Sequence, residues 1–190
     1  MQPFLDRLRQ AGAPSALLQE MIPLIGTRSL RARALLAGPG EVCQQAFLVL
    51  KGGFVCRHVD AEQDSYKTIN FFLPDFHPFM ACVDSFFSGQ PTHCELRAIA
   101  ASEVLVFDKV HIDAFTQRDL RLFAFFHELV TTALQEENDL KLKVISYPSP
   151  RLYDYLLSQC PQVIQQVPAR YIAEFMGISP EWLSKLKGRR

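Results

Sequence analysis

The sequence predicts an α+β protein: an antiparallel ladder of short strands, closed as a sandwich or barrel and flanked by helices, then one long helix, then a small all-α end. Three observations carry this. Over residues 27 to about 107, short apolar or alternating runs are separated by turn residues. Over residues 108 to about 145, proline and glycine are absent and apolar residues recur at helical spacing. Over residues 168–190, two short helical patterns flank a glycine.

The elements follow in order. Residues 4–10 and 14–24 read as two short helices, the first with Phe4, Leu5 and Leu8 on one face, the second with Leu17, Leu18, Met21 and Ile22 before Pro23. The strand candidates are SLRARALLA, AFLVL, FVCRHV, YKTINFFL, LRAIAA and EVLVFD, with GPGE, KGG and DAEQDS between the first four. Lys51-Gly52-Gly53 is a hairpin-turn signal. A short helix is expected from Lys109 and a long one from about Arg118. One apolar stripe runs through Phe115, Leu122, Phe126, Leu129, Ala133 and Leu140, and a second through Leu120, Phe123, Val130 and Leu134. Two stripes need two partners, which the sheet domain and the same helix of a second subunit would supply, unless a single core covers both. Pro148 and Pro150 end this stretch; RLYDYLLSQC is then a helix, and CPQVIQQVP a loop or short strands.

Composition excludes several classes. Hydrophobic residues make up 48% and charged residues 21%, which describes a folded protein with a real core. The formal charge is zero, but its distribution is uneven. Residues 141–190 carry eight Lys/Arg against three Asp/Glu, so the first 140 carry twelve against seventeen. A basic end on an acidic body suits a nucleic-acid contact made by one end only. Five scattered cysteines without a C-x-x-C argue against a disulfide framework and against a zinc ribbon or finger, and no metal site is expected. The first residues, MQPFLDRLRQ, are amphipathic and polar rather than a signal peptide, and no apolar run approaches a membrane span. A cytoplasmic protein without membrane association is expected. The five histidines fall in different elements and no H-x-H occurs, so an enzyme such as a metal-dependent β-barrel oxygenase is not expected.

The last segment, VPARYIAEFMGISPEWLSKLKGRR, has the features of a helix-turn-helix. Ile172 and Ala173 belong to its first helix and Gly177 to the turn; Ser179, Pro180 and Glu181 suit the cap, first position and first turn of the second. Leu183 and Leu186 would pack that helix down. Ser179, Glu181, Ser184, Lys185, Lys187, Arg189 and Arg190 are the candidate DNA contacts.

The order of strand region, long helix and terminal helix pair resembles the CRP/FNR family of bacterial transcription regulators over nearly the whole chain. YIAEFMGISPEWLSKLK is close to that family's Ile-Ala-x-x-Leu-Gly-Ile-Ser/Thr-x-x-x-Leu-Ser-Arg pattern. Residues 151–157 match its preceding helix, and GPGE (38–41) and LKGG (50–53) match two of its turns. The resemblance implies a cyclic-nucleotide-binding-like antiparallel β-roll, of the double-stranded β-helix or jelly-roll type, over residues 1–145. That sensor domain includes a dimerisation helix over about 109–145, and residues 146–190 form the helix-turn-helix domain. Double-stranded DNA, a second copy of the chain, RNA polymerase and a small-molecule effector are the implied partners. Family members usually carry a β-hairpin wing after the recognition helix; here the sequence ends at Arg190, and Arg189 and Arg190 are expected to reach phosphates in its place. Positions 180, 181 and 185 align with base-reading positions, where Glu181 could accept from cytosine and Lys185 donate to guanine. Ser184 and Lys187 suit phosphate contacts.

The family's cyclic-phosphate cassette is degenerate. Thr92 stands at the arginine position, followed by His93, and Pro78-Phe79 stand where Gly-Glu belongs. Without the arginine fork, tight cAMP or cGMP binding is not expected, and no cofactor is. The surrounding stretch is rich in phenylalanine, which is enough to fill a roll. An effector pocket there would use Phe79, Asp84, Thr92 and His93, with His77 as a further polar anchor. The alternative to a regulator is a sensor or scaffold of the same fold that does not bind DNA.

Overall fold

The apolar runs of the strand region are nearly continuous because the sheets are covered on both faces. In strand β3 (Gln45–Lys51), Phe47 and Val49 turn into a core between two sheets, while Leu48 packs outside against helices. In β8 (Ser102–Asp108), Val104 and Val106 face the same inner core and Leu105 and Phe107 the outer one. In β4 (Phe54–Asp60), Phe54 and Cys56 point inward and Val55 outward.

The computed structural model describes residues 1–60, 62 and 65–188. The remaining strands are β1 (Gly26–Leu30), β2 (Leu35–Ala37), β5 (Ser65–Phe72), β6 (Phe79–Met80) and β7 (Cys94–Ala98). They form two four-stranded antiparallel sheets, ordered β1-β8-β3-β6 and β2-β7-β4-β5. This is the α+β roll with flanking helices that the sequence predicts. The turn at Gly52-Gly53 joins β3 to β4 and so one sheet to the other. Gly52 has φ +74°, and a Cβ there would lie 2.5 Å from the carbonyl of Ala101, which is why that turn takes glycine.

Layers on each outer face complete the packing. Helices α1 (Gln2–Gln10) and α2 (Ser15–Met21) bury Phe4, Leu8, Leu18 and Met21 against Leu48, Leu105 and Phe107. Helices α4 (Lys109–Arg118) and α5 (Leu120–Ser146) enter the same cluster through Phe115, Leu122 and Phe125. A single-turn helix α3 (Val83–Phe86) lies between β6 and β7. Helices α6 (Ser149–Gln159), α7 (Pro161–Gln166), α8 (Ala169–Phe175) and α9 (Pro180–Gly188) cover the other sheet. Val55, Phe71 and Leu73 of the roll share one core with Leu152, Leu156, Ile172 and Leu183, so packing is continuous across residue 145.

Two expectations are corrected. The run over residues 29–37 is not one strand. Its middle turns at Arg33 (φ +68°), whose N–H donates to the Ala98 carbonyl at 2.8 Å. The run thereby leaves β8 in one sheet and joins β7 in the other. Residues 161–166 are helix rather than loop or strand, because Pro161 takes the first helical position and Val163 is fully buried.

The long helix begins at Leu120 because Asp119 caps it, accepting from the N–H groups of Arg121 (2.9 Å) and Leu122 (3.3 Å). The hydrogen bond from the Arg121 guanidinium, joined by those backbone bonds, draws the Asp119 carboxyl down to about 2. Over 27 residues α5 spans about 40 Å. Its first apolar stripe is covered at Leu122 and Leu140. The second, through Leu120, Phe123, Val130 and Leu134, is open and continues to Leu142 and Ile145.

Candidate nucleic-acid interface

The turn between α8 and α9 is built by local chemistry. Gly177 adopts φ +65°. The Ile178 N–H bonds the Ala173 carbonyl at 3.0 Å and the Gly177 N–H bonds that of Glu174 at 3.2 Å, the paired closure that ends a helix at a left-handed residue. Ser179 then opens α9: its hydroxyl accepts from the Trp182 N–H at 3.1 Å, with Pro180 at the first helical position. The Ser179 hydroxyl, with a backbone N–H, also holds the Glu181 carboxyl below its ordinary range.

The two faces of α9 separate cleanly. Leu183 and Leu186 are buried in the core shared with the roll, and Trp182 is half-buried against it. Ser179, Glu181, Ser184, Lys185 and Lys187 are all exposed. Among the described residues, neither lysine is engaged in a salt bridge. Arg189 and Arg190 lie outside the described residues. A helix with a cationic exposed face, held at its back by two leucines, has the shape and charge that a major groove accepts.

Of the four residues named for an effector pocket, Asp84, Thr92 and His93 come together and Phe79 does not join them. Asp84, on α3, accepts from the Thr92 hydroxyl (2.8 and 3.0 Å) and the His93 N–H (2.9 Å), and the Thr92 hydroxyl in turn accepts from the Cys94 N–H at 3.0 Å. These three residues thus brace the loop entering β7. Phe79 packs elsewhere, with its ring 5.8 Å from Phe4. His77 sits against α5: its Nδ1 is 3.2 Å from the Asn70 side-chain Oδ1 and its Nε2 is 3.7 Å from Glu136. Asn70 donates to Glu137 at 2.5 Å. Burial lowers the His77 pKa despite Glu136 and Glu137 beside it. Among the described residues no group of three or more His, Cys, Asp or Glu is gathered as a metal ion would need. No helix among them is long and apolar enough to cross a membrane.

A polar latch that sequence reasoning missed fastens α8 to the roll. Arg57 on β4 grips Glu174 of α8 with a two-pronged contact, Nε at 3.1 Å and Nη2 at 2.9 Å, and reaches Glu95 of β7 with Nη1 at 3.1 Å. The Thr68 hydroxyl of β5 also donates to Glu174. Arg97 closes on Glu95 at 3.0 and 2.7 Å. A register shift between Cys56 and Arg57, opposite Ile69, brings Thr68 to the face from which Phe71 meets Phe175 in a tilted ring contact, 5.0 Å between centroids. The available signal was an arginine interrupting the otherwise apolar runs FVCRHV and LRAIAA.

Burial opposes the charge on Glu174 and Glu95, but their hydrogen bonds to arginine outweigh it and hold both carboxyls below 4.5. Folding therefore favours the charged forms. Their contribution is whole at neutral pH and is lost as pH falls below 4.5 through the folded values. Replacing Arg57 with alanine is expected to lower stability at pH 7 by about 1–3 kcal/mol, the partial exposure of the pair keeping it under the range for a fully buried one. The same variant should lose less stability than the parent between pH 5 and roughly pH 3.5. Urea midpoints at both pH values check this; equal acid sensitivity in the two proteins would count against the latch.

No sequence-family model matches the chain, and no curated protein matches it in sequence. Solved structures match its fold. FixK2 from Bradyrhizobium japonicum superposes with a TM-score of 0.72 at 15% identity, covering 87% of this chain and 83% of that one. A protein from Eubacterium rectale assigned to the CRP/FNR family of transcriptional regulators gives 0.68 at 14%, covering 93% and 82%. CLP of Xanthomonas campestris, a global regulator responsive to c-di-GMP, gives 0.65 at 12%, covering 93% and 91%. The chain has the fold of these three structures, from the roll through the long helix to the terminal helices.

Proposed function

We propose that this chain, with the fold of the CRP/FNR-type regulators it matches, is a dimeric DNA-binding transcription regulator. The observation that carries the reading is α9: Ser179 caps it, Leu183 and Leu186 hold its back, and Ser184, Lys185 and Lys187 stand free on its front. Glu181 and Lys185 are the base-reading side chains, Ser184 and Lys187 the phosphate contacts. Arg189 and Arg190, which follow α9 in the sequence, would add phosphate contacts.

The second chain docks on the open stripe of α5. Leu120, Phe123, Leu134, Leu142 and Ile145 are each more than half exposed on one chain, an apolar line that a symmetric copy of the same helix would bury. Two α9 helices then address two half-sites, and RNA polymerase and the cytoplasm are the setting in which such a protein acts. Cyclic AMP and cyclic GMP are not its ligands on this reading. Thr92, at the position of the family's arginine, carries no charge and has its hydroxyl committed to Asp84.

Fluorescence anisotropy with duplexes drawn from the promoters of the source genome, at 50 and 200 mM salt, tests the function. A pseudo-palindromic site should bind at least 10³-fold tighter than random duplex, with an affinity that falls steeply with salt. Equal weak binding to every duplex would favour a scaffold that does not bind DNA.

A further inference from the structure

Four arginines from distant parts of the chain converge where α8 meets the roll. Arg33 comes from the β1–β2 turn, Arg57 from β4, Arg97 from β7 and Arg170 from α8, and with Tyr66, Tyr171 and Glu174 they line a cavity of about 360 Å³. Glu95 and Glu174 are the carboxylates bonded to this group. Both serve Arg57 and Arg97, so among the described residues four arginines meet two bonded carboxylates. Among the described residues, Arg33 and Arg170 are engaged in no salt bridge.

The cluster is built into the fold. Arg33 is held at φ +68°, a backbone region where glycine or asparagine is the ordinary choice. Its carbonyl accepts from Arg97 Nη1 at 3.0 Å, so the two residues are tied together. Arg170 donates to the Tyr171 hydroxyl at 2.7 Å with its guanidinium 4.4 Å from that ring's centre, and Arg57 lies 4.4 Å from the centre of the Tyr66 ring. The guanidiniums of Arg57, Arg97 and Arg170 are therefore placed by carboxylates, rings and backbone around an open volume that the exposed Arg33 also lines, where like charges repel until an anion enters.

We propose that this cavity binds a small phosphorylated molecule carrying at least two negative charges. Phosphate oxygens match the planar donor forks, and the volume falls within the range of small-molecule sites. A duplex backbone carries the same chemistry, and the titration below separates the two. The ligand would share Arg57 with Glu174, so its arrival weakens the latch that holds α8 to the roll. Any consequence for DNA rests on the function proposed above; the binding does not.

Calorimetric titration of the full chain with pyrophosphate and with inorganic phosphate, at ionic strength matched with chloride, tests the site. We expect a Kd tighter than about 1 mM for pyrophosphate, weakened at least tenfold in the double variant Arg33→Ala/Arg170→Ala. Both side chains are exposed, so circular dichroism and Tm should match the parent. Absence of binding by the parent overturns the proposal, as does binding of equal strength by the double variant. Loss of duplex affinity in the double variant, without pyrophosphate binding by the parent, would assign the arginines to the DNA backbone and overturn it too.

Discussion

Alanine at both Lys185 and Lys187 should weaken binding to the preferred duplex by about 10- to 100-fold while leaving Tm within roughly a degree of the parent. The two side chains are exposed and engaged in no salt bridge among the described residues, so their removal leaves the core shared by Leu183 and Leu186 intact. The single variants should differ in kind. Lys187→Ala, which removes a phosphate contact, should weaken all duplexes alike and reduce the slope of log affinity against log salt by about one per protomer. Lys185→Ala, which removes a base contact, should relax the preference at one base pair in each half-site while changing nonspecific binding less. Competition titrations with single-position duplex variants read both effects. Unchanged affinity in the double variant would remove α9 from the interface and the proposed function with it.

A charge placed on the open stripe of α5 should convert dimers to monomers. Leu134 is 65% exposed on the single chain, so Leu134→Glu should not disturb the fold of a protomer. In a symmetric helix pair the same substitution buries two unpaired carboxylates in an apolar seam, and the dimer dissociation constant should rise about 100-fold or more. Sedimentation velocity across a concentration series measures it. Affinity for a two-half-site duplex should fall in parallel, because the second recognition helix is no longer tethered to the first. Binding to a single half-site should be nearly unchanged. A parent protein that sediments as a monomer at every concentration, or a variant that dimerises equally well, would refute the α5 interface.

Local signals made parts of this molecule legible. Gly177, Ser179 and Pro180 mark a helix end and a helix start within four residues, and the structure places a left-handed turn and a capped helix there. The proline-free stretch with two apolar stripes is α5, and the open second stripe fits the reading in which a single core does not cover both. Where the reading failed, a distant contact outweighed local pattern. The run over residues 29–37 alternates like one strand, but the Ala98 carbonyl on another sheet pins its middle into a turn. Residues 161–166 lack a helical stripe of their own, and a single buried contact at Val163 is enough for one and a half turns.

By itself the sequence determined the elements whose causes lie within a few residues: caps, turns, helical stripes and the cationic front of α9. Hydrogen-bond geometry and side-chain periodicity act over that range, so a linear reading recovers them. Only the tertiary structure decided that Arg33, Arg57, Arg97 and Arg170 share one cavity and that Glu174 is latched to the roll. Those residues meet through strand register, a bulge at Ile69 and the docking of α8. Register and docking are set by the burial of whole faces against one another, a property of the assembled sheets that no window of the chain contains.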